Sequence, residues 1–251
     1  MQPNTVSAMR LDLEGIRIGY GGSTVIEGLD LSIAAGQILV LTGPSGCGKS
    51  TVLRAVAGLL PVQAGRILAD GESVSTTSRD RAMVFQDDAL HPWRTVRGNI
   101  MLALMLRGVP RAKRRTRADS WIAEIGLEGF DDYLPKSLSG GMRQRVQLAR
   151  GLAGSPRAVL MDEPFGALDA QTRTSMQQLL LHTLAAHPST VVFVTHDVDE
   201  ALLLGDRVVV LGRAGEPVRA TVDIPHPRDP RQRGDDATLR LRQTILDALE
   251  K

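Results

Sequence analysis

The chain has 251 residues, the length of one large domain or of a domain with an added lobe. Its net charge of +2 gives no ground by itself for nucleic-acid binding, and its single cysteine, Cys47, excludes an internal disulfide and fits a reducing compartment. Apolar residues make up 43% and aromatics only 3%, so a sizeable core must be built from Leu, Val, Ile and Ala.

Met1 to Met9 contains no apolar stretch of the secretory kind. The longest apolar run, Ile100 to Leu106, falls far short of the ~20 residues of a spanning helix. The expectation is a soluble chain whose membrane role, if it has one, comes through a partner. Leu11 to Ile18 alternates like a half-buried strand, Gly21-Gly22 is a turn, and Leu29 to Ile33 alternates again. Together these predict an antiparallel layer. Tyr20 at its edge has two readings: a strand-end aromatic in the core, or a ring that stacks on a purine.

The apolar run Ile38 to Thr42 leads into Gly43-Pro44-Ser45-Gly46-Cys47-Gly48-Lys49-Ser50-Thr51, and a helical pattern continues to Ala57. This is G-x-x-x-x-G-K-[ST] in its required strand, loop, helix setting. The glycines let successive N–H groups curl toward phosphate oxygens, and the helix N-terminus adds partial positive charge. Lys49 can reach the outer phosphates, and the Ser50 hydroxyl can ligate Mg²⁺. The chain therefore binds a nucleoside triphosphate. Alkylation of Cys47 inside this loop is expected to block binding by bulk.

Gly65 to Ala69 reads as a further strand, and Met83 to Phe85 as a short buried strand ending at Gln86, whose amide can reach metal or water. From Ala89 to Pro156 the pattern is helical, with helices over Asn99–Arg107, Pro110–Ile125 and from an N-cap at Ser139 to about Ala153. Arg107, Arg111, Lys113, Arg114, Arg115 and Arg117 could form a nucleic-acid patch, but the nearly balanced overall charge favours a solvated helix face.

Ala158 to Met161 is a continuous apolar strand of the buried parallel type, closed by Asp162-Glu163. Asp162 would hold Mg²⁺, and Glu163 would orient or deprotonate the water attacking the γ-phosphate. Val191–Val194 and Val208–Leu211 are two more parallel strands, alternating with helices over Ala170–Ala186 and Asp197–Leu204. A lone histidine is more often a satisfied structural residue, but His196 lies just past a strand's carboxyl end, where open α/β sheets place ligands, and can touch the same phosphate from the far side. Asp223 to Asp236 should be an exposed loop, and Ala237 to Leu249 a closing helix.

Leu138-Ser139-Gly140-Gly141-Met142-Arg143-Gln144-Arg145 opens a helix with a serine cap and two glycines, a second anion site. One nucleotide does not need two such termini, so the economical arrangement is a dimer in which this loop covers the partner's nucleotide.

In order, GPSGCGKST (43–51), Gln86, LSGGMRQR (138–145), VLMDEP (159–164), Ala167-Leu168-Asp169 and His196 resemble the ATP-binding-cassette (ABC) ATPases over residues 10 to 212. The resemblance implies an α/β P-loop NTPase fold: a parallel-sheet core and antiparallel β layer (1–88 and 157–222), an inserted helical subdomain (89–156) and a C-terminal tail with a helix (223–251), all one domain. It implies a head-to-tail homodimer with two ATP molecules between phosphate loop and signature loop. Tyr20 stacks on adenine, Asp169 links the sites, and Gln86 couples them to a transmembrane partner. Met142 replaces the commoner Gln at little cost, since the phosphate contacts there come from Ser139 and backbone N–H groups.

Phe85 to Val96, with Pro92-Trp93 and Asn99, resembles importers of nitrate, sulfonate, taurine and related solutes, and pyrimidine-precursor importers are similar. The tail Ile224 to Pro230 resembles the same group, although members usually have an apolar residue where His91 stands. Trp93 beside Pro92 would make an exposed apolar knob for a partner groove, or it packs into the helical lobe. The expected function is the ATPase subunit of a bacterial importer on the cytoplasmic face of the membrane. Its partners are a permease docking at Gln86–Trp93 and a substrate-binding protein, with no nucleic acid. The alternatives are an exporter subunit, or a cassette acting on nucleic acid or the ribosome. The latter usually carry two cassettes or a long coiled coil, which this chain lacks.

Overall fold

Period-two alternation in the first third of the chain builds one sheet, and short continuous apolar runs build another. The computed structural model describes residues 7–21, 23–87, 89–225 and 236–250. Strand β1 (Leu11–Tyr20) pairs antiparallel with β2 (Ser23–Ile33) on one side and with β4 (Ala64–Ala69) on the other. A two-residue strand, β5 (Glu72–Ser73), completes the order β2-β1-β4-β5.

The second sheet has six strands. At its centre β3 (Ile38–Thr42) lies parallel to β8 (Thr190–Val194) and to β9 (Arg207–Leu211). Beyond β8 come β7 (Ala158–Asp162) and β6 (Arg81–Val84), also parallel. Strand β10 (Val218–Asp223) closes the β9 edge in the antiparallel sense.

Because side chains alternate along a strand, this sheet divides the core in two. Val40, Val159, Met161, Val191, Phe193, Val208 and Val210 face a cluster shared with the helices. Leu39, Leu41, Leu160, Val192, Val194, Val209 and Leu211 face the antiparallel layer. Full burial of each such side chain contributes roughly 1.5–3 kcal/mol, which fixes the strand register and hence what lies at the strand ends.

Helix α1 (Lys49–Val56) follows β3. Between β6 and β7 run α2 (Val96–Leu106), α3 (Arg111–Glu124), a 3₁₀ turn at Pro135–Ser137 and α4 (Gly140–Leu152). Arg97 holds α2 to α3 and the following loop by bonding Asp119 at 2.7 Å, Asp131 at 2.9 Å and Asp132 at 2.6 Å. Helices α5 (Ala170–Ala186), α6 (Val198–Leu204) and α7 (Asp236–Glu250) complete the chain. Among the described residues no helix is long and apolar enough to cross a membrane.

Three expectations change. Strand β6 stops at Val84, and Phe85 is 39% exposed, so Gln86 does not close a buried strand. Strand β10, where no strand was expected, takes in Asp223, the first residue of the stretch read as loop, while 226–235 lie outside the described residues. Arg107 is not on a solvated face: its guanidinium folds back onto the Arg79 carbonyl, and burial lowers its pKa.

Candidate functional site

The sheet order sets β3, β8 and β7 side by side, so the segments after them meet at one edge. The loop after β3 is shaped by its glycines. Gly48 caps α1 at φ 104°, and a Cβ there would meet Ile26 Cδ1 at 2.7 Å and Val25 Cγ1 at 2.8 Å of β2. Gly43, at φ 149°, passes so close to β9 that a Cβ would lie 2.8 Å from the Leu211 carbonyl oxygen. The first helical bond of α1 runs from Val52 N–H to Gly48 O, so the N–H groups of Lys49, Ser50 and Thr51 precede the ladder, as donors at a helix start that could face an anion. Lys49 is 8% exposed, and its ammonium donates to the Gly43 and Pro44 carbonyls at 2.8 and 3.0 Å, within the loop it would share with phosphate.

Asp162 ends β7 in a buried position, and its Oδ1 accepts from Ser50 Oγ at 2.9 Å. Burial pushes its pKa up, the Ser50 bond opposes the shift, and the charge of Glu163 adds to it. Glu163 turns away through a left-handed backbone, φ 43°, and its N–H donates to Val194 O at 3.0 Å. That turn brings Glu163 Oε2 within 3.0 Å of His196 Nδ1.

His196 is itself held by its neighbours. Thr195 N–H bonds Leu41 O, and Thr195 Oγ1 accepts from Asp197 N–H at 3.0 Å. Asp197 caps α6 by accepting from Asp199 and Glu200 N–H, and Arg173 of α5 reaches it at 3.2 Å. Behind this loop Glu200 is buried, accepts from Gln177 Nε2 at 2.9 Å, and has its pKa raised by burial.

Ser139 caps α4 as expected, its Oγ accepting from Met142 N–H at 3.2 Å. Asp169 caps α5 in the same way, accepting from Thr172 N–H at 3.0 Å and Thr172 Oγ1 at 2.7 Å, and the backbone bond lowers its pKa. The two termini adjoin: a Cβ on Gly141 would lie 2.7 Å from Thr172 Cγ2. Among the described residues no hydrogen bond joins Ser139–Gly141 to the 43–51 loop.

Residues 26–166 match the model of the family described as ABC transporter. The chain is 45% identical to aliphatic sulfonates import ATP-binding protein SsuB 1 of Rhodococcus jostii, over 95% of this chain and 93% of that one. It is 46% identical to taurine import ATP-binding protein TauB of Pseudomonas putida, over 80% of this chain and 78% of that one.

The chain belongs to the ABC transporter family.

Its fold agrees with that assignment. A dimeric ATP-binding cassette in a post-hydrolysis state, bound to ADP and Pi, superposes with a TM-score of 0.73 at 30% identity, over 86% of this chain and all of that one. This cassette is an ATPase, and its α/β P-loop fold is the expected one.

Within the cassette, the sheet gathers the 43–51 loop, Asp162, Glu163 and His196 at one edge, and Ser139–Gly141 lie with Asp169 at the ends of α4 and α5. Tyr20, 46% exposed, ends β1 at the hairpin whose Val25 and Ile26 abut Gly48; it is not a core ring. Gln86 is exposed, at the level of Glu163 in the β6–β7 register but beyond the end of β6. Cys47 is 2% exposed and packs in the cluster beneath the antiparallel layer, so alkylation, expected to block binding by bulk, must reach a buried thiol.

Mg²⁺ needs few protein donors, because one or two oxygens plus phosphate and water complete its octahedron. The adjacent Ser50 and Asp162 oxygens, with a carboxylate whose charge is disfavoured by burial, fit that role. Trp93 is 72% exposed and stands as a knob, its ring 5.4 Å from that of His91, and the packed reading is excluded. Asn99, wholly buried, clamps the loop beside it through His91 N–H at 2.9 Å and the carbonyls of Arg94 and Thr95 at 3.0 and 3.1 Å.

Sequence reasoning missed Gln177 and Glu200 behind His196 and Gln147 on α4, and gave Gln144, part of the 138–145 motif, no role of its own. The available signal was polar residues at buried helical positions, which calls for a partner for each.

Proposed function

We propose that this chain is the ATP-hydrolysing subunit of an importer for a small anionic or zwitterionic solute of the sulfonate or taurine kind. In this reading two copies meet head to tail, and each Ser139–Gly141 terminus covers the nucleotide held by the 43–51 loop of the other. Lys49 and the α1 N-terminus bind the phosphates, and Ser50 and Asp162 hold Mg²⁺, which offsets phosphate charge when bound. Glu163 orients or deprotonates the attacking water, and His196 holds Glu163 and the outer phosphate. Tyr20 stacks on adenine. The Gln86–Trp93 segment passes the closing motion to a permease, so the chain sits peripherally on the cytoplasmic face, with a solute-binding protein in the same complex.

The observation that carries this reading is the pairing of Ser50 with Asp162 and of Glu163 with His196 along one sheet edge. The import direction rests on the sulfonate and taurine relatives. The test is affinity purification of the chain from detergent-solubilised native membranes, with mass spectrometry of what accompanies it. A multi-spanning permease with a solute-binding protein is the expected result. A permease alone would indicate export, and nucleic acid or ribosomal proteins that survive high salt would overturn the membrane role.

A further inference from the structure

Helix α4 begins at the Ser139 anion terminus and runs under the two loops that bear Gln86 and Glu163. Its inward side chains grip the backbone of both. Gln144 Nε2 donates to the Pro164 carbonyl, next to Glu163. One turn later Gln147 Nε2 donates to Phe85 O at 2.7 Å and Asp87 O at 2.8 Å, the carbonyls on either side of Gln86. A further turn on, Arg150 Nη1 donates to Ala89 O at 2.6 Å.

Gln147 is 1% exposed, between Val146 and Leu148 in the helical core. A buried amide at such a position is costly unless hydrogen-bonded. Both of its contacts are carbonyl oxygens, so the nitrogen must face them. Its Oε1 is buried and has no partner among the described residues. The Nε2 end thus ties the backbone on both sides of Gln86 to α4.

We infer that Gln147 is a positioning residue that transmits the state of the α4 N-terminus to the segment around Gln86 and Trp93. A hydrogen-bonded helix moves as a unit, so a displacement at Ser139 is carried to Gln147 two turns away. Two bonds of 2.7 and 2.8 Å onto one short segment oblige Phe85, Gln86 and Asp87 to follow. Asn99 holds the far side of the same loop, which leaves Trp93 between two clamps. The inference rests on the reading that a second copy's nucleotide seats on Ser139–Gly141.

Trp93 and Trp121 are the only tryptophans, so Trp121→Phe makes Trp93 the sole reporter. In a Glu163→Gln, Trp121→Phe background, light scattering follows the ATP-dependent dimer, and acrylamide quenching follows Trp93. The expected result is a change of about twofold in the quenching constant on dimer formation, with Gln147→Met forming the dimer at the same ATP concentration but losing most of that change. Thermal unfolding checks that the variant is folded. A dimer that forms with an equal Trp93 response in Gln147→Met, or with no response in the parent, overturns the inference alone. Failure of the parent to dimerise overturns the two-copy reading and the inference with it. If Gln147→Met does not fold, amide hydrogen exchange in the parent decides. Residues 85–89 must change together with 139–147 when ATP is added, and an unchanged 85–89 segment overturns the inference.

Discussion

Glu163→Gln isolates one chemical property at the centre of the site. The substitution keeps the side chain's size and one carboxamide oxygen, so the 3.0 Å approach to His196 and the left-handed turn at φ 43° both survive. What is lost is an oxygen able to accept a proton. A positioned general base is worth about 10²–10⁴-fold in rate, or roughly 3–5 kcal/mol of barrier. Lys49, Ser50 and Asp162 are untouched, so ATP affinity should stay within about threefold of the parent while the chemical step falls by that factor. The ATP-bound dimer should accumulate. Single-turnover phosphate release measures the first effect, and light scattering with ATP measures the second. Glu163→Gly separates strain from chemistry. A non-glycine residue in the left-handed region costs about 1 kcal/mol, and the contact it loses is to a largely exposed histidine. Glycine should therefore leave stability unchanged or raise it by up to about 1 kcal/mol, with hydrolysis as slow as in the Gln variant. Phosphate release by Glu163→Gln within about threefold of the parent would refute the assignment.

Three further outcomes follow from the geometry. Gly48→Ala must strain φ 104° and push a methyl into Ile26 and Val25, so it should cost about 1–3 kcal/mol and abolish nucleotide binding, read by thermal unfolding and ATP titration; near-normal affinity would contradict the loop's role. Ser139→Ala removes the α4 cap, at a cost of about 1 kcal/mol, and should leave ATP affinity of the monomer intact while weakening the ATP-bound dimer; an unaltered dimer would remove Ser139 from the second site. Glu200→Gln should be more stable than the parent above the ordinary glutamate range. Burial raises the Glu200 pKa, so the folded state holds a proton that the unfolded chain has released, and the parent loses stability as pH rises from the unfolded value through the raised one. The gap between variant and parent in urea unfolding should widen across that window and then level off; a gap independent of pH would show that Glu200 does not titrate this way.

Much of the site was legible because its residues sit at junctions that local sequence marks. Ser139, Asp169 and Asp197 each precede a helix and each caps it, since short polar side chains satisfy the orphan N–H groups there. The apolar runs ending at Thr42, Asp162 and Val194 predict strand ends, and parallel pairing brings those ends together. Strand β10 escaped notice because an edge strand is half exposed and lacks the continuous apolar run of its neighbours; of its six residues only Val222 is buried. Phe85 misled because hydropathy cannot tell an aromatic that leaves the sheet from one that stays in it. The direction of the Cys47 thiol depends on how the loop packs on β2 and β9, which the motif does not specify. The partners of Gln144 and Gln147 are backbone carbonyls distant in sequence, and a carbonyl acceptor has no residue-type signature.

Whether hydrolysis at this site drives inward solute movement is decided by transport in proteoliposomes holding the permease, its solute-binding protein and this chain. With ATP on this chain's side and labelled taurine or an alkanesulfonate with the binding protein opposite, solute should move toward the ATP side, accumulating only while ATP is hydrolysed and not with Glu163→Gln. Accumulation that persists with Glu163→Gln, or ATP-driven movement away from the ATP side, would contradict import powered by hydrolysis at Glu163.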